Sequence, residues 1–349
     1  MQRIVGIDLA RGLAVLGMIT AHVGPVLRPG TLDLSPWSLA QVVDGRSAAL
    51  FVLLSGLSVA LLSGGPRTVV GVRRVQARTR LLVRALAVLG IGALTLTLGT
   101  PIAVILPTYA VLFSVATIVL GAPPRRLLVA AGAIALAGPL VHLALQPLFA
   151  SLPGQEYTDL LVGDYYPAVV WAAYALVGLA VGRLDLGSRQ VRLRLLGAGT
   201  ALAAAGYGSA AVLTRLLSPD GTLAGLVTAA PHSSTTPEVL GGTGVALAVI
   251  ALCLELGDRA PRLLAPLAAT GSLALTAYVT HLMAIAAIGS SVVWEPRAST
   301  WLAFVGCTLA GCWWWRASFG RGPLERLLHG LAARASDIAP DTLPPERTA

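Results

Sequence analysis

Residues Gly6–His22, reading GIDLARGLAVLGMITAH, constrain this chain more than any other stretch, because an apolar run long enough to enter a bilayer carries Asp8, Arg11 and His22. An α-helix turns about 100° and rises about 1.5 Å per residue, so the step from Arg11 to His22 ends only about 20° past three full turns. The two side chains share one face, about 16 Å apart along the axis. Asp8, three residues before Arg11, lies on that face within pairing reach. Ionisable groups inside a membrane segment cost about 2.5–3.5 kcal/mol each and normally face a bundle interior or a wet cavity. The sober alternative leaves Asp8 and Arg11 at the cytoplasmic interface and His22 in a helix–helix hydrogen bond. The aligned stripe favours a functional site.

Soluble domains are about one quarter charged; here 12% of residues are charged and 56% are hydrophobic. The fold class read from this is all-α, a polytopic transmembrane helical bundle. The apolar runs are near-continuous and about 20 residues long rather than alternating, which selects helices over a β-barrel. Ten spans are predicted, at roughly 4–26, 46–64, 80–99, 102–121, 126–149, 166–184, 193–214, 239–257, 265–289 and 299–316. No linker divides them, so residues 1–316 read as one bundle. Residues 317–349 read as a cytoplasmic tail: Leu324, Leu327, Leu328 and Leu331 fall at helical spacing with Arg326 opposite, the pattern of a helix lying on the inner surface. The Pro-containing end beyond Ala335 reads as disordered. Asp8 and Arg11 interrupt the first segment, which argues against a cleaved signal peptide. Cys253, Cys307 and Cys312 lack metal-ligand spacing and are expected to be buried free thiols.

Orientation follows from arginine placement, because cytoplasmic loops carry the basic excess. All 25 basic residues are Arg; with the N-terminus inside, 20 fall in cytoplasmic segments, 4 (Arg28, Arg46, Arg215, Arg297) fall outside, and Arg11 lies within the first span. Both termini are then cytoplasmic, in a bacterial-type cytoplasmic membrane. This placement accounts for the formal charge of +9 without nucleic acid as a partner. The external loops are longer and more acidic, with Asp33, Trp37 and Asp44 in the first and Glu156, Asp159 and Asp164 in the third. Trp171, Trp294, Trp301 and Trp313–Trp315 sit near span ends, as aromatic belts do.

The pair Arg11 and His22, ten residues between them on the first membrane helix, resembles the signature of bacterial membrane O-acyltransferases. The opening IDLARGLAVLGMITAH with DGRSAALFVLLSGLSVAL resembles the start of the heparan-α-glucosaminide N-acetyltransferase family. The later blocks HSSTTPEVLGGTGVALAV, GSLALTAYVTHL and FGRGPLERLL resemble a family of uncharacterised bacterial membrane proteins built on a related plan. In the heparan-type family the catalytic His lies in the loop after the first helix; that loop has no His here, so His22 fits the O-acyltransferase pattern better.

These resemblances imply acyl transfer from acyl-CoA, acetyl-CoA among the candidates, with no metal, to a small-molecule or glycan acceptor carrying a hydroxyl or amine. Such chemistry needs a cation for the anionic donor, for which Arg is the preferred fork. It also needs a base at the acceptor, for which His titrates near neutrality. His22 is the catalytic candidate and Arg11, steadied by Asp8, serves the donor side. Asp44 and Arg46 would lie level with His22 to orient it or grip the acceptor, or else form an ordinary cap. His281 with Tyr278 extends a polar stripe in the ninth span, or packs as a hydrogen-bonded core residue. Arg73, Arg74, Arg78, Arg80 and Arg84 could hold CoA phosphates or simply face lipid headgroups. His232 and Glu238 could contact the acceptor, though a helix cap through Thr236 and Glu238 is the plainer reading. Membrane lipids are expected partners, and the oligomeric state is open. The rival function is a transporter or channel-like protein whose stripe binds a passing solute or lipid; a third is a non-catalytic relative.

Overall fold

The computed structural model describes residues 4–24, 42–150, 160–217 and 224–336. The expectations attached to Arg3, Arg28, Asp33, Trp37, Glu156, Asp159, Arg347 and the polar end from 337 lie outside the described residues. Among those described there is no β-strand. The helices in chain order are α1 (Val5–Val23), α2 (Arg46–Leu62), α3 (Gly71–Leu96), α4 (Leu106–Val119), α5 (Pro124–Ala150), α6 (Ala168–Val181), α7 (Arg189–Leu216), the single turn α8 (Ala224–Val227), α9 (Thr236–Arg259), α10 (Ala265–Ser272), α11 (Ala274–Ile288), the single turn α12 (Ser291–Trp294), α13 (Ala298–Phe319) and α14 (Pro323–Ala335).

Five of these (α1, α3, α5, α7 and α9) are long and apolar enough to cross a membrane, and α10 with α11 would make a sixth. The protein is thus a multi-pass helical membrane protein. Helix α2 has 17 residues and α4 and α6 have 14 each. At 1.5 Å per residue these reach only about 21–26 Å, short of a hydrocarbon core of about 30 Å. The expected continuous span 265–289 is instead bent by 84° between α10 and α11.

The first helix is central. It packs against α2, α9, α10 and α13, and Ala10, Ala14, Val15 and Ile19 are fully enclosed. Close approach needs a missing side chain at Gly271 of α10, where a Cβ would stand 1.7 Å from the Asp8 carbonyl oxygen. Around this hub, α9 lies along α7, α6 packs between α2 and α5, and α3 pairs with α4. Arg183, just past α6, is buried and donates to the carbonyls of Ala60, Ser63 and Gly65 and to that of Leu120. One guanidinium thereby satisfies orphan acceptors around the ends of α2 and α4.

Two expectations need correcting. Cys253 and Cys312 are buried but Cys307 is exposed, because it lines an open groove between α11 and α13. Trp171 is no belt residue: it is enclosed at 2% exposure in the bundle, whereas Trp294, Trp313 and Trp314 are exposed as belts require.

Candidate functional site

Near the start of α1, Arg11 Nη1 donates to Asp8 Oδ1 at 3.0 Å, the i,i+3 pair that spacing foretold. Its Nη2 donates to Ser58 Oγ of α2 at 2.5 Å. Asp8 is almost wholly buried, so its charge is held by a partner rather than by water. Arg11 also lines a cavity of about 210 Å³ with Arg84, Ser58, Tyr109, Glu325 and Leu328. Arg84 Nε has no hydrogen-bond partner among the described residues. Of the other basic residues leading into α3, Arg74 and Arg78 donate to the carbonyls of Val69 and Thr117, and Arg80 to Ser336 Oγ. Only Arg84 of that group turns to this cavity.

At the other end of α1, His22 Nδ1 lies 3.0 Å from His281 Nε2 of α11. The rings stack 5.2 Å apart at 14°, and Tyr278 meets the His281 ring edge-on. Tyr278 Oη accepts from the backbone N–H of Ile105 at 3.4 Å, which fixes the tyrosine across the end of α4. His281 is buried at 3% exposure. Its Nδ1 is buried without a hydrogen-bond partner among the described residues. On its other side it borders an apolar groove of about 570 Å³ between α11 and α13, with Thr280, Phe304 and Cys307. Thr20, two residues before His22, accepts from Trp301 Nε1 at 2.9 Å and ties α1 to α13 at this level.

The stripe between the two ends is packed rather than open. Val15 is fully enclosed and Met18 is 5% exposed, so no open channel joins Arg11 to His22 past these two residues. Arg11 and His281 open instead onto separate cavities.

A third cluster gathers around Asp44 and Arg46, and sequence reasoning did not assemble it. His232 Nε2 lies 3.4 Å from Asp44 Oδ1, and its Nδ1 is 3.2 Å from the Tyr165 carbonyl. The ring stacks on Trp171 and meets Tyr165 and Tyr166 edge-on. Glu238 accepts from the backbone N–H of His232 at 2.7 Å and of Ser234 at 2.6 Å. Both His232 and Ser234 have positive φ, a turn that those two bonds hold in place. The cap of α9 is Thr235, accepting from the Glu238 N–H, one residue before the expected Thr236. Arg46 donates from Nε to Tyr207 Oη at 2.8 Å and lies over that ring.

Burial alone would lower the His232 pKa, but Asp44, by hydrogen bond and charge, and then Glu238 raise it above the ordinary histidine value. A pKa raised by folding stabilises the fold below the unfolded value of about 6.5, and that contribution disappears as pH climbs through the folded value. Asp44→Asn should therefore lower the melting temperature most under mildly acidic conditions, with the gap to wild type closing toward alkaline pH. A constant gap across that range would show that the imidazolium does not carry the contact.

A family model described as heparan-alpha-glucosaminide N-acetyltransferase, catalytic, matches residues 3–212. A second, described as a protein of unknown function (DUF418), matches residues 185–335. No curated protein matches the chain. The His22–His281 contact thus joins one ring from each matched region. The Asp44–His232 and Arg11–Glu325 neighbours do the same.

Proposed function

This chain belongs to the heparan-α-glucosaminide N-acetyltransferase catalytic family, and on that footing we propose an integral-membrane acyltransferase that moves an acyl group, acetyl by the family's description, from acyl-CoA to a hydroxyl or amine of a carbohydrate-like acceptor. The observation that carries this is the His22–His281 hydrogen bond at 3.0 Å. If His22 donates its Nδ1–H to His281 Nε2, the lone pair of His22 Nε2 is left free to act as a base. His281, accepting at Nε2, then carries its own proton on Nδ1. His281 is thus a positioning residue that selects the useful tautomer of His22.

In the reaction, His22 Nε2 takes the proton from the acceptor O–H or N–H as that atom attacks the thioester carbonyl. The C–S bond then breaks, and the departing thiolate takes the proton back from the imidazolium. Arg11 and Arg84 serve the anionic donor from their cavity. The topology that suits this reading has ten spans and both ends cytoplasmic, an orientation that the arginine split of 20 to 4 supports. It places the Arg11 cavity on the cytoplasmic side, where acyl-CoA resides, and His22 toward the outside. Because the stripe between them is packed, the donor arm needs a rearrangement of the bundle to reach His22.

The 84° break between α10 and α11 favours the transporter reading in one respect, since discontinuous spans bind solutes in many carriers. Carriers usually repeat the break in a second half, and the described residues contain one such bent pair. Sealed vesicles separate the two. With acetyl-CoA on the cytoplasmic face and a panel of amino sugars and hydroxyl sugars outside, thiol release should depend on acceptor and yield acylated sugar. Radiolabelled sugar crossing intact, with no acyl product, would reject the enzyme.

A further inference from the structure

At the break between α10 and α11 the chain leaves the N–H groups of Leu275 and Thr276 without intrahelical partners, and Leu273 at the N-cap offers no side-chain acceptor. The missing cap comes from the far end of the sequence. Glu325 of α14 accepts from Leu275 N at 2.8 Å and Thr276 N at 3.0 Å with one oxygen, and from Thr276 Oγ at 2.5 Å with the other. The Leu324 N–H also donates back to Thr276 Oγ. Glu325 and Leu328 form part of the wall of the cavity that holds Arg11 and Arg84. A second attachment lies at the end of the helix, where Arg80 Nε of α3 donates to Ser336 Oγ at 2.7 Å.

From this arrangement we infer that α14 is a gate: it closes the mouth of the Arg11–Arg84 cavity and is held shut by Glu325 capping the broken helix. The fastening is polar and sits at the two ends of the helix, so it can be released without exposing a large apolar face. Of α14's side chains, Ala332 is buried inward while Leu327 and Leu331 face out; the outward pair can lie on the membrane surface whether the gate is shut or open. Closure also explains why an apolar-patterned tail helix carries an acid in its first turn. A helix resting only on the membrane surface would not need Glu325 turned inward. When Glu325 withdraws, two N–H groups at a helix N-terminus and two guanidinium groups become available together to an anionic ligand. The link to acyl transfer rests on the reading above, but the closure itself does not.

The test therefore uses no acyl donor. In the full-length protein in nanodiscs, with Cys307→Ser removing the exposed thiol, Ser55→Cys places a reporter on the cavity wall. An impermeant maleimide is added, and modification at position 55 is followed by mass spectrometry. Adding Glu325→Ala, which removes the acceptor oxygens, should speed modification at least tenfold, while Glu255→Ala, remote from the gate, should leave it unchanged. An unchanged rate in folded Glu325→Ala protein would overturn the gate. Should that variant fold poorly, Arg80→Cys with Ser336→Cys replaces the second attachment by a disulfide. Modification at position 55 should then slow at least fivefold and recover on reduction; no slowing would overturn it equally.

Discussion

His22→Ala should lower acyl transfer by about 10²–10⁴-fold, the usual worth of a general base, while the melting temperature moves by only a few degrees. The small thermal effect follows from what the ring contributes structurally, one hydrogen bond to His281, worth about 0.5–1.5 kcal/mol. His281→Ala should cost less, about tenfold to a hundredfold, because it leaves the base in place and removes only the partner that fixes its tautomer. His281→Gln, whose side-chain oxygen can accept from His22 Nδ1, should recover part of that loss and His281→Leu none. A merely structural role for His281 would instead track packing, with Leu equal to or better than Gln. The double variant should be no slower than His22→Ala alone, because groups that act as one unit are not additive. Steady-state turnover with acetyl-CoA, measured beside thermal unfolding, reads all five. Near-full activity in His22→Ala would move the base elsewhere, and His232 is the next imidazole to test.

Several of these features were legible in the sequence, and the reason differs from case to case. Asp8 and Arg11 were paired by helical spacing, a local rule, and the structure pairs them. The tail helix was legible from its leucine spacing, and α14 occupies Pro323–Ala335. His22 and His281 were each singled out, but nothing in the spacing of two residues 259 apart says that they touch. The same holds for Asp44 and His232. Asp44 was expected to orient His22, to grip the acceptor or to form an ordinary cap, and the structure gives it to a histidine in the loop before α9. Glu325 was overlooked for the opposite reason: on a surface helix an acid in the first turn looks like a dipole partner, and only the break at Leu273 creates a need for it elsewhere. That break has no Pro or Gly at its centre, so hydropathy reads straight through it.

Arg11→Ala should have the second large effect, and it should be a composite. Removing the guanidinium strips Asp8 of its salt bridge while Asp8 itself stays buried. Breaking a buried ion pair by removing one partner costs about 3–5 kcal/mol, so this variant should be markedly unstable as well as slow. Asp8→Asn in the same chain removes the charge that needed compensation. The double variant should therefore recover most of the lost stability while keeping the functional defect. That defect is expected in the donor term: the apparent KM for acetyl-CoA should rise about 10- to 100-fold, the worth of one charge-assisted hydrogen bond of about 1.5–3 kcal/mol. The acceptor KM should not change, because the acceptor is handled at His22, about 16 Å along the helix. Arg11→Lys keeps the charge but not the fork that reaches Asp8 and Ser58 together, so it should retain stability better than donor affinity. If the Asp8→Asn, Arg11→Ala protein binds acetyl-CoA as tightly as the parent, Arg11 is a structural partner of Asp8 alone. The donor's anionic groups would then have to rest on Arg84, the other guanidinium in that cavity.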